Sequence, residues 1–486
     1  MLWQLRFKLG PIGLATILLG GASVSGDEPS REAAVAALQS AVGFFHQNCS
    51  KHGGYVWRVS RDLKLSEGEA ETGLDTIWVQ PPGTPAVGLV LLDAYETTGD
   101  QYYLDAATEA AHALVRGQMQ SGGWYYSIHF DPEERKKWGY RDNSSFRPSR
   151  RKKNKTNVTT LDDDTTPAAV RFLARIDKLH NFRDQSIHQA ASFALEALLL
   201  AQYPNGGWYQ NWDKYPQSKD RDEFPILRAS YPDSWSRKWL NDWPGRYFTN
   251  DNVAGMMIET MLVAWETYDD QRYLQSARRT GGFLILAQMP QPQPAWAQQY
   301  DPQMHPCWDR KMEPPAISSW ESQAMMEALL LLYRKTDDER FLKPIPDALA
   351  YLKKSRLADG RLARFYELQT NRPLYMNKEY QLTYNADDAP THYGWIMESR
   401  LEQIEAQYNA LRRGGAGAPL PEATSSDELA EEVTQIIAAL DSRGAWIDKR
   451  GMRGFRKASQ EGVMQSETFI RNVTTLCQFI RFAGRE

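Results

Sequence analysis

A repeat constrains this chain more than any other feature. One unit runs from Asp100-Gln-Tyr-Tyr-Leu104 to Gln120-Ser-Gly-Gly-Trp124, and a second from Asp184-Gln-Ser-Ile187 to Pro204-Asn-Gly-Gly-Trp208. A third runs from Asp270-Gln-Arg-Tyr-Leu274 to Trp296, and a worn fourth from Asp338-Glu-Arg-Phe-Leu342 to Asp359-Gly-Arg-Leu362. In the first two units the Asp leads the Trp by 24 positions. Apolar residues recur at helical spacing on both sides of each Asp. The pattern predicts leading helices over 85–97, 167–179, 252–268 and 321–335, and following helices over 103–119, 187–202, 273–288 and 341–355. Gly-Gly-Trp turns close two of the following helices, where Gly is expected past a C-terminus. The unit is a helical hairpin. Hairpins repeated in one chain stack into an open solenoid or close into a ring, and these are too few for a long solenoid. The expected fold is all-α: an α/α toroid, an incomplete barrel of helical hairpins with long irregular loops at the cleft mouth.

The rest of the chain arranges itself around that frame. Residues 1–26 read as an export signal, with Arg6 and Lys8 before an apolar run too short to span a membrane. A secreted or periplasmic protein is the expectation. The toroid is expected over 27–412. A Gly/Pro-rich linker follows over 413–426. The tail, 427–486, holds two helical stretches around Ser442-Arg-Gly-Ala-Trp446; it imitates the repeat and reads as packing on or closing the ring. Residues 131–156 form a basic insertion with Arg135-Lys-Lys137 and Arg150-Arg-Lys-Lys153. Three widely spaced cysteines form neither a disulfide framework nor a metal cluster, though one pair is free to bridge. Net charge is -4, so no global basic field draws the chain to nucleic acid. Nothing in the sequence calls for more than a monomer.

Chemistry concentrates in four places. Asp162-Asp-Asp164 precedes a helix that opens with Pro167; three adjacent carboxylates exceed the needs of a cap and suit Ca²⁺, which takes several oxygens in flexible geometry. Thr249-Asn-Asp251-Asn252 holds the equivalent place in the next repeat, so Asp162 and Asp251 are expected to face each other across one mouth. Trp296-Ala-Gln-Gln-Tyr300-Asp301 and Trp308-Asp-Arg310-Lys311 are too polar for a bare connector. Arg364-Phe-Tyr-Glu367 and Asn371-Arg372-Pro373 supply arginines for carboxylates. The 16 Trp and 23 Tyr suit either a sugar cleft or the hairpin core. A Gly-rich phosphate loop, His pairs at metal spacing and a Gly-x-Ser-x-Gly elbow are absent.

Asn157 to Asp162, Gly206-Gly-Trp-Tyr-Gln210, Asn250-Asp-Asn252, Ala295 to Asp301, Arg310 to Pro315 with Ser318 to Ser322, and Ala363 to Pro373 together resemble the family-10 polysaccharide lyases, the pectate or pectic acid lyases of α/α-toroid fold. The likeness runs from about residue 85 to 400, in the family's order. It implies cleavage of polygalacturonate, an acidic polysaccharide, by Ca²⁺-assisted β-elimination. By position it implies Asp162 and Asp251, with Asp163 beside them, for the metal, Arg310 as the base, and Arg364 and Arg372 on substrate carboxylates. The family's Thr-Ile-Asp-Asn-Gly reads Thr160-Leu-Asp-Asp-Asp164 here, and its aromatic two places after the base is Met312.

An arginine base implies an alkaline optimum or a pKa lowered beside Lys311 and bound Ca²⁺, with Lys311 and Tyr300 as fallback bases. Trp208, Tyr209, Trp296 and Trp308 are expected either to line sugar subsites or to pack in the core, and Lys311 to help hold substrate. Two other readings stay open: a toroid glycoside hydrolase using Asp162 and Asp251 as acid and base, and a polysaccharide-binding protein without catalysis.

Overall fold

The recurring Asp is a helix N-cap. Asp100, Asp184, Asp270 and Asp338 each sit in extended backbone and accept a hydrogen bond from the amide two residues on, at 3.0, 3.0, 2.8 and 3.1 Å. Such a cap satisfies one of the orphan amides of the first turn and contributes about 1 kcal/mol. The structure, a computed structural model, describes residues 29–147, 155–420, 425–449, 451–454 and 462–484. The expected export signal and the Arg150–Lys153 cluster lie outside the described residues.

The helices are α1 (Arg31–Cys49), α2 (Thr84–Thr98), α3 (Gln101–Arg116), a short α4 (Pro132–Arg135), α5 (Thr165–Leu179), α6 (Gln185–Ala201), α7 (Val253–Tyr268), α8 (Gln271–Ala287), α9 (Ser319–Thr336), α10 (Ile345–Lys354), α11 (Leu401–Gly414), α12 (Ser426–Ala438) and α13 (Ser466–Ala483). The inner row runs α13, α2, α5, α7, α9, α11, each packed on the next, with α1, α3, α6, α8, α10 and α12 outside it. This is the α/α toroid, and short strand pairs join its loops at the mouth. The expected helix over 341–355 is divided. A 3₁₀ turn over Glu339–Phe341 precedes α10, because Pro344 and Pro346 donate no amide and fit only at a helix start, where Pro344 caps α10 and Pro346 stands in its first turn.

The outer helices α3, α6, α10 and α12 return through a glycine turn, while α8 returns through the proline-rich stretch Pro290–Pro294. Gly122, Gly206, Gly360 and Gly444 all take positive φ. Paired backbone bonds close the turn, as from Gly206 N to the Tyr203 carbonyl and from Tyr203 N to the Gly207 carbonyl. A Cβ at Gly206 would lie 2.0 Å from the Arg279 carbonyl oxygen, so no other residue fits. The Trp that follows is core. The indole N–H of Trp124 donates to the Leu114 carbonyl (2.8 Å), that of Trp296 to Leu284 (2.8 Å) and that of Trp446 to Ile436 (2.9 Å). Each ring thereby satisfies a carbonyl near the end of its outer helix. Trp208 donates instead to Thr280 Oγ1 (3.0 Å).

The sequence reading passed over one unit. Lys51-His-Gly-Gly-Tyr55 after α1 makes the equivalent return by a tighter turn, with His52 and Gly53 both left-handed, at φ 51° and 87°, and Tyr55 in place of Trp. The last helix, α13, packs on both α1 and α2, and its preceding strand Val463–Gln465 pairs with Arg58–Ser60. The ends of the chain thus form one more hairpin of the row. The expected linker over 413–426 starts inside α11 and ends inside α12.

The described part of the basic insertion spends its charge locally. Arg135 pairs with Asp142 (2.8 Å), Lys136 with Glu133 (2.5 Å) and Lys137 with Glu134 (2.6 Å). Cys49, Cys307 and Cys477 are buried and free, so the bridge left open by the sequence does not form. Among the described residues no helix is long and apolar enough to cross a membrane.

Candidate metal centre and adjoining cleft

Two strained turns meet at the mouth. The 3₁₀ turns Asp162–Asp164 and Asn250–Asn252 lead into α5 and α7 and pack on each other. In each, two successive non-glycine residues are left-handed: Asp163 and Asp164 at φ 46° and 63°, Asp251 and Asn252 at 49° and 62°. Asp and Asn tolerate this region best, yet two in a row cost on the order of 1–3 kcal/mol each and persist only where the surroundings fix them. The two turns match residue for residue. Asp251 is the counterpart of Asp163, and Asp162 is the counterpart of Asn250.

The turns bring Asp162, Asp163 and Asp251 together, with one carboxylate oxygen from each lying within 4.8 Å of the others. Tyr126 OH donates to Asp162 Oδ2 (2.7 Å), Gln210 Nε2 to Asp162 Oδ1 (2.6 Å) and Gln80 Nε2 to Asp163 Oδ2 (2.9 Å). Burial, then the charges of Asp251 and Asp163, push the Asp162 carboxyl up to about 7. Asp164 takes no part in the cluster. Buried Arg171 holds it at 2.5 Å while also bonding Thr260 Oγ1 at 3.0 Å. Three hard oxygen donors with neutral hydrogen-bond donors behind them fit a divalent cation such as Ca²⁺.

A cationic wall stands beside the triad. Arg310 Nη2 is 3.9 Å from Asp251 Oδ2. Its Nε donates to Glu313 Oε2 (2.8 Å) and its Nη2 to Glu313 Oε1, a fork onto a fully buried carboxylate. Tyr393 OH donates to the same Glu313 (3.1 Å), and Arg364 stacks over the Tyr393 ring at 4.5 Å. Arg364 also stands 3.5 Å from buried Glu321. Gln298 Nε2 donates to Asn250 (3.0 Å) and Glu321 (3.1 Å), which ties this wall to the second strained turn. Burial works to lower the Arg310 pKa, but the bonds and charge of Glu313, with Asp251, outweigh it and hold the guanidinium above its ordinary value. The Lys311 ammonium lies 3.5 Å over the Tyr380 ring. Tyr300 is no base: it is fully buried and its hydroxyl donates to the Ala287 carbonyl (2.6 Å).

The structure separates the remaining candidates. Trp208 and Trp296 are 0% exposed and held by their indole bonds in the hairpin core, which corrects their placement in sugar subsites. Tyr209 is 37% exposed and stands edge-on to Phe248 at 5.4 Å. Arg372 does not join Arg364; its guanidinium lies 3.4 Å over Tyr384. Sequence reasoning missed Tyr126, Gln210 and Gln298 as a set, and a signal for them existed. Each is two positions after a repeat Trp, and Arg364 is two after Leu362, which replaces that Trp in the fourth unit. It also missed Glu313 as the anchor of Arg310, and Asp309, whose carboxyl burial and then Glu313 push up to about 7.

Comparison with known proteins adds the following. The model of the pectic acid lyase family matches residues 132–225. This chain resembles the family 10 polysaccharide lyases. The matched stretch holds Asp162, Asp163 and Gln210 and stops short of Asp251 and Arg310. A family 10 polysaccharide lyase from Cellvibrio cellulosa, in complex with trigalacturonic acid, shares 16% identity over 68% of this chain and 98% of its own, with a TM-score of 0.43. A cellobiose 2-epimerase from Bacillus thermoamylovorans shares 12% over 94% and 99%, at 0.49. An α-1,6-mannanase of Salegentibacter sp. shares 14% over 92% and 98%, at 0.42. No curated protein matches the chain.

Proposed function

We propose that the protein is a pectate lyase that cleaves polygalacturonate by Ca²⁺-assisted β-elimination and leaves 4,5-unsaturated galacturonides. The observation that carries this reading is the juxtaposition of an acidic triad and an anchored arginine, 3.9 Å apart at Asp251 and Arg310. A galacturonate unit presents a carboxylate at C5, so its site needs a cation for that carboxylate and a group facing the C5 proton. Asp162, Asp163 and Asp251 would hold Ca²⁺, which supplies charge neutralisation on the carboxylate and stabilises the developing enolate. Arg364 adds a second positive charge, buried and prepositioned on Tyr393.

In the elimination the C5–H pair becomes the C4–C5 double bond, the C4–O4 bond breaks with its electrons, and O4 leaves as a hydroxyl after taking up a proton. Arg310 faces C5 and accepts the proton in its neutral form. Because Glu313 holds its pKa high, that form grows only with alkalinity, and turnover should climb with pH. Residues 1–26 would export the enzyme to the polymer.

A hydrolase reading is less well supported. A glycosidase needs only two carboxylates across the scissile bond and no cation, whereas here three carboxylates gather at one point beside Arg310. The test is ultraviolet absorbance of purified protein with polygalacturonate at pH 8–10. A rise with Ca²⁺ that excess chelator abolishes is expected. New reducing ends without absorbance would overturn the lyase in favour of hydrolysis.

A further inference from the structure

Residues 213–246 join the strand Asn211–Trp212 to the strand Tyr247–Phe248 without helix or strand between them. A connection of this length without regular structure is uncommon in a compact domain and is usually functional. It is clamped to the Arg310 segment from both sides. The Trp239 indole N–H donates to the Asp309 carbonyl (2.7 Å), and the Trp308 indole N–H donates to the Ser236 carbonyl (2.7 Å). Trp308 is buried under it.

On this support the segment shows an uncommon amount of apolar surface. Trp243 is 57% exposed and stands edge-on to Trp239, with ring centroids 6.0 Å apart. Leu240 is 64% exposed. An indole left in water on a fixed loop is a ready platform, because its face is flat and apolar and ordering it further costs little entropy.

Positive charge predominates along this part of the segment. Between 235 and 246 the chain carries Arg237, Lys238 and Arg246 against Asp242. Arg237 is fixed: Nη1 donates to Glu367 Oε1, and Tyr384 OH donates to the same oxygen (2.8 Å). Glu367 is buried, so both partners are held to one point. Exposed Arg372 then lies 3.4 Å over the other contact of that point, the Tyr384 ring. Two guanidiniums thus flank Tyr384 beside a loop that is bolted to the residue preceding Arg310.

We propose that Trp243, with Arg237 and Arg372, forms a distal subsite for a galacturonate unit of the polymer, beyond the unit that reacts at Arg310. The indole takes the C–H face of the sugar ring, and the two guanidiniums take its carboxylate. This inference rests on the acidic-polysaccharide reading and adds a chain-length preference to it. Polymers long enough to reach Trp243 bind more tightly than trimers, which end short of it.

The test compares wild type with Trp243→Ala, Trp243→Phe and Arg237→Ala, using polygalacturonate and trigalacturonate. Binding is read by affinity electrophoresis, and turnover by absorbance. Trp243→Ala should weaken polymer binding and raise KM about five- to tenfold, leave kcat within twofold, and leave trigalacturonate unaffected. Trp243→Phe should recover most of the loss, and Arg237→Ala should weaken binding of polygalacturonate and leave trigalacturonate unaffected. Melting curves of Trp243→Ala should match wild type, since the ring is exposed. Equal polymer affinity of wild type and Trp243→Ala, or an equal loss on trimer and polymer, would overturn the subsite while leaving the lyase intact. Loss of polymer binding in Trp243→Ala by a protein that yields no unsaturated product would uphold the subsite and sink the lyase.

Discussion

The tryptophans that end the outer helices and those of the 213–246 segment have the same chemistry and opposite placements. Trp124, Trp208 and Trp296 are completely enclosed, and each indole N–H is tied to a neighbouring helix. Trp239 and Trp243 ride on a loop, and the second ring keeps more than half its surface in water. The difference teaches that aromatic richness has two sources here. The repeat uses Trp as a bolt between a turn and a helix, a need set by backbone carbonyls. The loop presents Trp outward, where the fold itself gains little from it.

The sharpest way to break that comparison is to remove one ring from each set. Trp296→Ala should cost about 3–5 kcal/mol of stability, because it opens a large cavity in the hairpin core. Trp243→Ala should stay within about 0.5 kcal/mol. Denaturant unfolding measures both, and a well-folded Trp296→Ala with a raised KM would reverse the assignment. Next in size is Arg310→Ala, expected to lower turnover about 10²–10³-fold and, because it leaves buried Glu313 without its cation, to lower the melting temperature as well. Lys311→Ala should retain near-normal turnover, since its ammonium faces Tyr380. The opposite pattern would move the proton acceptor from Arg310 to Lys311.

The acidic triad yields a pH effect whose sign is fixed. A carboxyl raised from 3.8 to about 7 is easier to ionise in the unfolded chain. Its burden on stability is absent below about pH 4, grows as pH rises to about 7 and is constant above that. In chelator, the triad should therefore lower the melting temperature between pH 5 and pH 8. Calcium should raise it again at pH 8 and much less at pH 5, and Asp251→Asn should blunt this response. A calcium response equal at both pH values would separate the metal from the triad.

A smaller contrast concerns Asp309, also pushed up to about 7. With Arg310 as the acceptor, turnover climbs through the alkaline range and Asp309→Asn keeps that limb. A plateau above pH 8 that Asp309→Asn removes would assign the proton to Asp309. Smallest is the cap: Asp270→Ala should cost about 1 kcal/mol and leave binding alone.

Much of the fold was legible because a repeated need leaves a repeated residue. Asp100, Asp184, Asp270 and Asp338 mark helix starts, and the Gly-Gly turns mark helix ends. The first unit escaped because Tyr55 replaces the Trp, and the fourth following helix was overextended across Pro344. In the site, Asp162, Asp163, Asp251, Arg310 and Arg364 were all named from sequence, and they share one network. Glu313 escaped because its effect is exerted on another residue: an anchor has no signature until the group it holds is seen beside it.

The sequence by itself determined the hairpin, the cap, the turn and the two acidic segments, since these follow from local backbone needs within a few residues. Only the tertiary structure decided which tryptophans are core, which carboxylate of Asp162–Asp164 is taken by Arg171, and that Asp163 rather than Asp162 is the counterpart of Asp251. Those outcomes depend on which side chains far apart in the chain come to share one small volume, and on the competition there between burial, charge and hydrogen bonding.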